Sequence, residues 1–420
     1  MEKATLEVEP ISQPPVPKVE PVKSADLVLG VVAEIDDESL IALCDSLRTL
    51  PGSPIVAALR NDHAGGAAGA TSEASEKVPS PYFVPWPSSK TDDPGTPVVN
   101  VATAYQSAFS VSEQLNARAC CIVASTIENA KPDWIRELVR PLLEEDFDLV
   151  TPQYALRKFE GLLNSSVISP LTRCLYGKRI RNPMGPDLGI SRRLFTKLAS
   201  EKTGGVGNGV HLVASIAPGA LCDNLKVCQV LVGPRTYPPP DWTNISSLVS
   251  QILSPIFADM EKRAACWQRT RSSVPLPSFG KPVLLSQDTG TVDVSRMVES
   301  FQLGNRDLQE IWDLVLPPST LLELRKLARL PLEQFRMPND LWVRIVYDFA
   351  LAHRLRTINR DHLLKSMTPL YLAWVAGFAR DAEAADAAGV EQILERLAVA
   401  YESAKPYLVS RWRWPDRFNP

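Results

Sequence analysis

The sequence has few histidines, no paired cysteine motif and no long apolar run. Its 420 residues include 4 histidines and 7 cysteines, and these form no His-x-x-x-His or Cys-x-x-Cys pair. Because structural zinc sites use such pairs, their absence argues against a zinc-binding protein. No window of 18 residues is both apolar and uncharged, so no membrane span is expected.

An excess of charge of one sign is also lacking. The formal net charge is -3, which gives no electrostatic footprint for nucleic acid. The cysteines are odd in number and scattered along the chain. Reduced and mostly buried thiols are the expected state, and they predict a cytoplasmic protein.

Composition and periodicity divide the chain into three parts. Residues 1–24 are rich in proline and charge, and we expect a disordered leader. Residues 25–240 alternate strand and helix patterns, interrupted at 63–97 by a segment of Gly, Ala, Ser and Pro that predicts a loop insert. Residues 241–420 have helical periodicity almost throughout, which predicts an all-helical C-terminal domain.

The α/β part begins with a strand–helix–strand pattern. An apolar run at 25–34 predicts a strand buried on both faces, a helix follows over 36–50, and a second strand spans 54–59. This βαβ beginning indicates a mostly parallel sheet. Residues 161–193 are irregular and rich in Gly, Pro and Arg, and predict a loop that builds a site.

Four stretches of the sequence are recognisable together. They are PDWIRELVRPLLEEDFDLVTPQY (132–154), GLLNSSVISPLTRCLYGKRIRNPMGPDLGISRRL (161–194), NLKVCQVLVGP (224–234) and RDHLLKSMTPLYLAWVAGFA (360–379). They resemble a bacterial group of family-2-like glycosyltransferases related to the mannosylglycerate and glucosyl-3-phosphoglycerate synthases. The resemblance covers roughly residues 25–410.

The resemblance implies a GT-A fold, in which a Rossmann-like sheet binds a nucleoside diphosphate sugar. It also implies transfer of the sugar to a small hydroxylated acceptor such as glycerate, a helical C-terminal extension, and a homodimer. In the family, a divalent cation held by an Asp-x-Asp pair neutralises the leaving diphosphate.

The sequence departs from the family at the metal. Counting from the matching Pro-Asp-Trp, the Asp-x-Asp positions are Ala124 and Thr126, around Ser125. The position of the family's metal-binding histidine is Tyr237, a phenol with a pKa of about 10 and so a poor ligand for a hard cation. No metal cofactor is therefore expected, and Asp36 alone stands in for the acid of the first-strand motif.

The acceptor-side framework is better preserved. The matching residues that could bind an acceptor or a phosphate are Arg157, Gly161, Asn164, Arg173, Arg179 and Arg181. Asp187 matches the acid that faces the sugar or the acceptor and is the candidate catalytic residue. Two interpretations stay open: the arginines bind a carboxylate or phosphate bidentately, or they anchor an irregular loop through carbonyls and ion pairs.

Two functions compete on this evidence. The first is a glycosyltransferase that binds its nucleotide sugar at Asp36 and residues 124–126 without a metal, arginines neutralising the diphosphate. The second is a catalytically inactive homologue, a scaffold or regulatory subunit that pairs with an active relative through its helical domain. Reuse of the pocket for another small ligand is a third possibility. The aromatic tail at 407–418 either packs in cis or docks on a partner.

Overall fold

The computed structural model describes residues 24–32, 35, 37–60, 82–85, 101–124, 133–200, 209–234, 242, 245–281 and 292–415. The predicted leader therefore lies outside the described residues, except for Ser24. So do four of the predicted site residues, namely Asp36, Ser125, Thr126 and Tyr237.

The described strands are β1 (Leu27–Val31), β2 (Val56–Arg60), β3 (Tyr82–Pro85), β4 (Ala119–Val123), β5 (Leu149–Ala155), β6 (Leu188–Ser191), β7 (Val227–Pro234) and β8 (Ser278–Phe279). They form one sheet in the order β3-β2-β1-β4-β6-β5-β7-β8. Only β6 is antiparallel to its neighbours within the described sheet. The α/β class and the mostly parallel sheet are thus confirmed.

The helices of the α/β part are α1 (Asp37–Arg48), α2 (Val101–Gln114), α3 (Asp133–Glu144), α4 (Ser169–Tyr176), α5 (Arg192–Ser200) and α6 (Gly209–Cys222). Helices α1 and α3 pack on one face of the sheet, while α2, α5 and α6 pack on the other. Strands β1 and β4 are fully buried, as expected for strands covered on both faces.

The helices that follow are α7 (Ile245–Lys262), α8 (Ala264–Trp267), α9 (Val294–Asp307), α10 (Gln309–Val315), α11 (Pro318–Leu327), α12 (Asn339–Leu355), α13 (Arg360–Ser366), α14 (Thr368–Ala382), α15 (Ala387–Ser403) and α16 (Lys405–Arg413). Their largest core is built around α12 and α14 and also takes in residues 162–176. Pro369 lies in the first turn of α14, so the long helical pattern at 360–382 restarts there.

Three expectations about local structure need correction. The predicted loop insert at 63–97 contains β3, which pairs with β2 at the sheet edge. The C-terminal part is not all-helical, because β8 adds to the sheet beside β7. The stretch at 161–193 is not irregular throughout, since it holds a π-helical turn (Asn164–Ile168), α4 and β6. Short elements surrounded by Gly and Pro leave too little periodicity to be recognised.

The cysteines also differ from expectation. Cys222 at the end of α6 and Cys266 in α8 form a disulfide, with their Cα atoms 5.9 Å apart. The prediction of uniformly reduced thiols is wrong at this pair, because the fold brings together two cysteines 44 residues apart. The free cysteines in the described chain are buried.

In the described part of the C-terminal tail, residues 407–415, the chain packs in cis at Trp412, whereas Trp414 is exposed. Trp412 is buried, and its ring meets that of Trp267 edge-on with centroids 5.2 Å apart. The Arg354 guanidinium lies 4.7 Å from the Trp412 ring centroid on another side. Among the described helices, none combines the length and apolar character that crossing a membrane requires.

Candidate functional site

The sheet reverses its winding direction between β1 and β4. From β1 the chain moves outward through β2 to β3, and then returns to place β4 on the other side of β1. In open α/β sheets, ligands bind in the crevice that such a switch point opens beyond the carboxyl ends of the strands. The switch point lies between Val32 and Ala124, next to the hydrogen bond from the Val32 amide to the Val123 carbonyl at 2.8 Å.

Asp187 lies beside this crevice. Because β6 is antiparallel to β4, its first residue, Leu188, pairs with Ile122 near the carboxyl end of β4, and Asp187 immediately precedes it. The Ala124 amide donates to Asp187 Oδ1 at 2.8 Å, and the Tyr154 hydroxyl donates to Oδ2 at 2.5 Å. Asp187 is completely buried, and it joins the end of β4 to the end of β5.

The loop that presents Asp187 is fixed from α2. Tyr105 is buried and donates its hydroxyl proton to the Pro186 carbonyl at 2.8 Å. On β6 itself, Gly189 lets α3 approach closely, since a Cβ there would lie 2.7 Å from the Leu138 carbonyl oxygen. Asp187 is therefore held by both faces of the α/β layer, and its position is defined before any ligand arrives.

A cavity of about 870 Å³ lies beyond the carboxyl ends of β5 and β7. Its walls are the end of β5 with residues 156–158, the π-helical turn with α4, the segment 179–182, the end of β7, and the first half of α15. Tyr154 lines it, so the residue that binds Asp187 links the cavity to the crevice.

Five of the predicted acceptor-side residues line this one cavity: Arg157, Asn164, Arg173, Arg179 and Arg181. Gly161 is not part of the lining. It turns the chain between two lining residues, Glu160 and Leu162, with a φ of 62°. The stretch that carries the resemblance is thus brought together around a single space.

Asn164 and a buried glutamine hold the arginine segment. Asn164 donates to the Arg181 carbonyl at 2.8 Å. Gln229 accepts from the Arg181 amide at 2.7 Å and donates to the Arg179 carbonyl at 3.1 Å. The backbone at 179–181 is therefore fixed by side chains, and the two guanidinium groups extend from a rigid support.

Arg173 is committed to the helical part. Its guanidinium makes a bidentate bond to Glu395 at 2.7 and 2.9 Å and a further bond to Glu402 at 2.9 Å. Burial lowers the pKa of Arg173, but the bonds to the two glutamates outweigh it and the net shift is upward. The hydrogen bond from Arg173 also holds the pKa of Glu395 below its usual range. For Arg173, the anchoring interpretation is the one the geometry supports.

Among the described residues, neither Ala124 nor Asp187 offers a free side-chain ligand for a divalent cation, and the predicted positions Thr126 and Tyr237 lie outside the described part. Ala124 offers only a methyl group, and both oxygens of the neighbouring Asp187 already accept hydrogen bonds. No group of three or more His, Cys, Asp or Glu side chains in the described part of the chain has metal-binding geometry.

Several functional candidates were not identified from the sequence. Tyr154 and Gln229 are buried polar residues on strands, and Glu391, Glu395 and Glu402 line one side of α15. Glu391 and Glu395 are one helical turn apart, a spacing that predicts two carboxylates on the same face of a helix. Their partners are more than 200 residues away in sequence, which no local pattern reveals.

The comparisons with known proteins add little. No protein-family model matches the chain, and no curated protein matches it. Among solved structures, a crystal structure of a mycobacterial protein is similar with a TM-score of 0.36 and 19% sequence identity. The match covers 56% of this chain and 74% of that one.

Proposed function

We propose that the chain is a GT-A-type glycosyltransferase that binds a nucleoside diphosphate sugar in the β1/β4 crevice and a small hydroxylated acceptor in the cavity. The observation that carries the proposal is the position of Asp187. It accepts hydrogen bonds from Ala124, the residue that follows β4, and from Tyr154, which lines the cavity. A group-transfer enzyme needs two such adjacent sites, with the reacting atoms held in a fixed geometry.

Within this proposal, Asp187 acts mainly by position. Its two hydrogen bonds orient the Ala124 amide and the Tyr154 hydroxyl. Arg157 and Arg179 are exposed at the cavity and supply cationic donors for a diphosphate, a carboxylate or a phosphate. The metal that the resembling family uses has no role in this proposal.

Calorimetry tests the proposal directly. UDP- and GDP-hexoses are titrated into the full chain, once with Mg²⁺ and once with EDTA, and a binding heat is expected in both conditions. Transfer is then measured with D-glycerate as acceptor. Absence of binding for every nucleotide sugar on the folded protein would remove the proposal.

A matched pair of variants separates the site from general stability. Asp187→Asn is expected to weaken nucleotide-sugar binding at least tenfold. Asp148→Asn changes an equally buried carboxylate at the opposite end of β5, where it accepts from Ser191, Arg193 and the Lys226 amide. It is expected to leave binding within twofold of wild type. Equal losses in both variants would show that Asp187 is only structural.

The second candidate is an inactive homologue that serves as a scaffold or regulatory subunit, and one observation favours it. Arg173, which matches an acceptor-side arginine of the family, is bound by two glutamates of the helical part. Such a pocket can keep its shape after losing its ligand. Turnover of any nucleotide sugar that disappears in Asp187→Ala would exclude this candidate.

A further inference from the structure

The first half of α15 covers the cavity but is weakly packed. The buried side chains of α15 are Leu397, Ala398 and Tyr401, all in its second half. Val390 and Leu394 line the cavity and are only partly buried. By contrast, α14 buries twelve residues along its whole length. The segment 387–396 therefore meets the hydrophobic core only through partly buried side chains, namely Val390, Ile393 and Leu394.

Ion pairs to the α/β part hold this segment, and they differ in strength. Near its beginning, Glu391 pairs with Arg181, and the two side chains are 57% and 39% exposed. One turn later, Glu395 pairs with Arg173, whose side chain is 7% exposed and also binds Glu402. The first contact is solvated at both side chains, whereas the second buries Arg173 and leaves Glu395 52% exposed.

The energies of these two contacts differ accordingly. Losing an exposed ion pair changes stability little, whereas leaving a buried charge without its partners is strongly destabilising. The Arg181–Glu391 pair is thus easily exchanged for another anion. The Arg173 cluster keeps its position, because losing its carboxylates would leave a buried guanidinium without compensation.

The cavity contains further cationic groups near the same helix. Arg179 and Arg181 both contribute to lowering the pKa of Glu395, after the larger effect of Arg173. In the described chain no carboxylate pairs with Arg157 or Arg179. An anion entering the cavity therefore meets two cations that are not ion-paired and one, Arg181, that Glu391 already occupies.

We propose that the first half of α15 is a latch over the cavity, closed by the Arg181–Glu391 pair and opened when an anionic ligand takes Arg181. The cluster of Arg173, Glu395 and Glu402 is its fixed end. Glu391 thereby sets the threshold for binding, since the ligand must displace it. This inference rests on the acceptor cavity of the proposed function and does not need the nucleotide-sugar crevice.

The test uses inorganic phosphate as the probe, with sodium chloride at equal ionic strength as reference. Hydrogen exchange is followed in residues 387–396 and 397–403 of the full chain, and phosphate affinity is measured by calorimetry. Phosphate is expected to speed exchange in the first segment and leave the second unchanged. Glu391→Gln is expected to show fast exchange without phosphate, and to bind phosphate about two- to fivefold more tightly.

Asp381→Asn is the matched control. Its pair with Arg336 joins side chains that are 50% and 39% exposed, close to the values of the latch pair, but neither residue lines the cavity. We expect this variant to keep wild-type affinity and exchange in residues 387–396. Arg181→Gln should lose phosphate binding while opening the latch.

The latch is overturned if phosphate does not bind, if it binds without faster exchange in 387–396, or if Glu391→Gln has unchanged or weaker affinity. The same preparation can also fail to bind any nucleotide sugar while phosphate opens α15 as expected. That result would refute the proposed transferase and support the latch.

Discussion

The bond between Tyr154 and Asp187 is the contact on which the candidate site depends most. Tyr154→Phe removes the hydroxyl that donates to Asp187 Oδ2 at 2.5 Å, and Asp187→Asn keeps the shape but removes the charge. A hydrogen bond to a charged group contributes about 1.5–3 kcal/mol, against about 1 kcal/mol for a neutral one. Each variant is therefore expected to lower the free energy of unfolding by about 2 kcal/mol.

The two losses should not be additive. Once the hydroxyl is absent, neutralising Asp187 removes mainly the bond from the Ala124 amide, so the double variant should be more stable than the sum predicts by about 1 kcal/mol. Urea denaturation of the wild type, both single variants and the double variant gives this coupling energy. Tyr154→Phe is also expected to weaken nucleotide-sugar binding, because Asp187 then loses its bond to β5.

Additive losses, or a coupling below about 0.3 kcal/mol, would refute the argument that Asp187 joins β4 to β5 through this bond. An Asp187→Asn variant that is as stable as the wild type but no longer binds nucleotide sugar would also refute this argument. That result would assign Asp187 to direct ligand contact rather than to positioning.

Other predictions concern the supporting structure. Replacing Cys222 and Cys266 by serine opens a loop of 44 residues, and unfolding free energy should fall by up to about 4 kcal/mol in denaturant titrations under oxidising conditions. Thiol alkylation followed by mass spectrometry should label both cysteines only after reduction. His353 is buried with no bond to Nδ1, and burial, then Arg360 and His211, lower its pKa to about 4. Because the unfolded histidine binds protons first, stability should fall as pH drops from about 6.5 to about 4, and His353→Leu should flatten that slope. Gly189→Ala should destabilise the fold by about 1–3 kcal/mol in thermal melts, since its Cβ would clash with the α3 backbone.

The parts of the fold that were predictable are those with strong periodicity. The apolar runs of β1 and β4 can only be strands covered on both faces, and the apolar stripe of α14 identifies a long buried helix. Strand β6 was not predicted, because its four residues, between a Gly-Pro-Asp segment and a helix, are too few to show a strand periodicity. It became visible only through its two antiparallel neighbours.

The connections of the candidate residues could not be predicted from the sequence. The arginines at 157–181 share one cavity in the structure, but the sequence does not show where their side chains point. Which of them is available for a ligand depends on glutamates that follow some 200 residues later. Ion pairs between residues so far apart in sequence depend on the tertiary fold. The pairs of Arg173 with Glu395 and Glu402 are the reason for describing Arg173 as an anchor.

The chain returns to the sheet at β8, and this limits where the protein can be truncated. Ser278 and Phe279 pair with β7, and Trp267 packs in the same core as Leu171 and Leu175 of α4. A chain ending at residue 240 would expose the edge of β7 and the apolar face of α4 together, and unpaired edges of this kind promote aggregation. Sequence order suggests a cut between an α/β and a helical half, but the smallest soluble unit should include both.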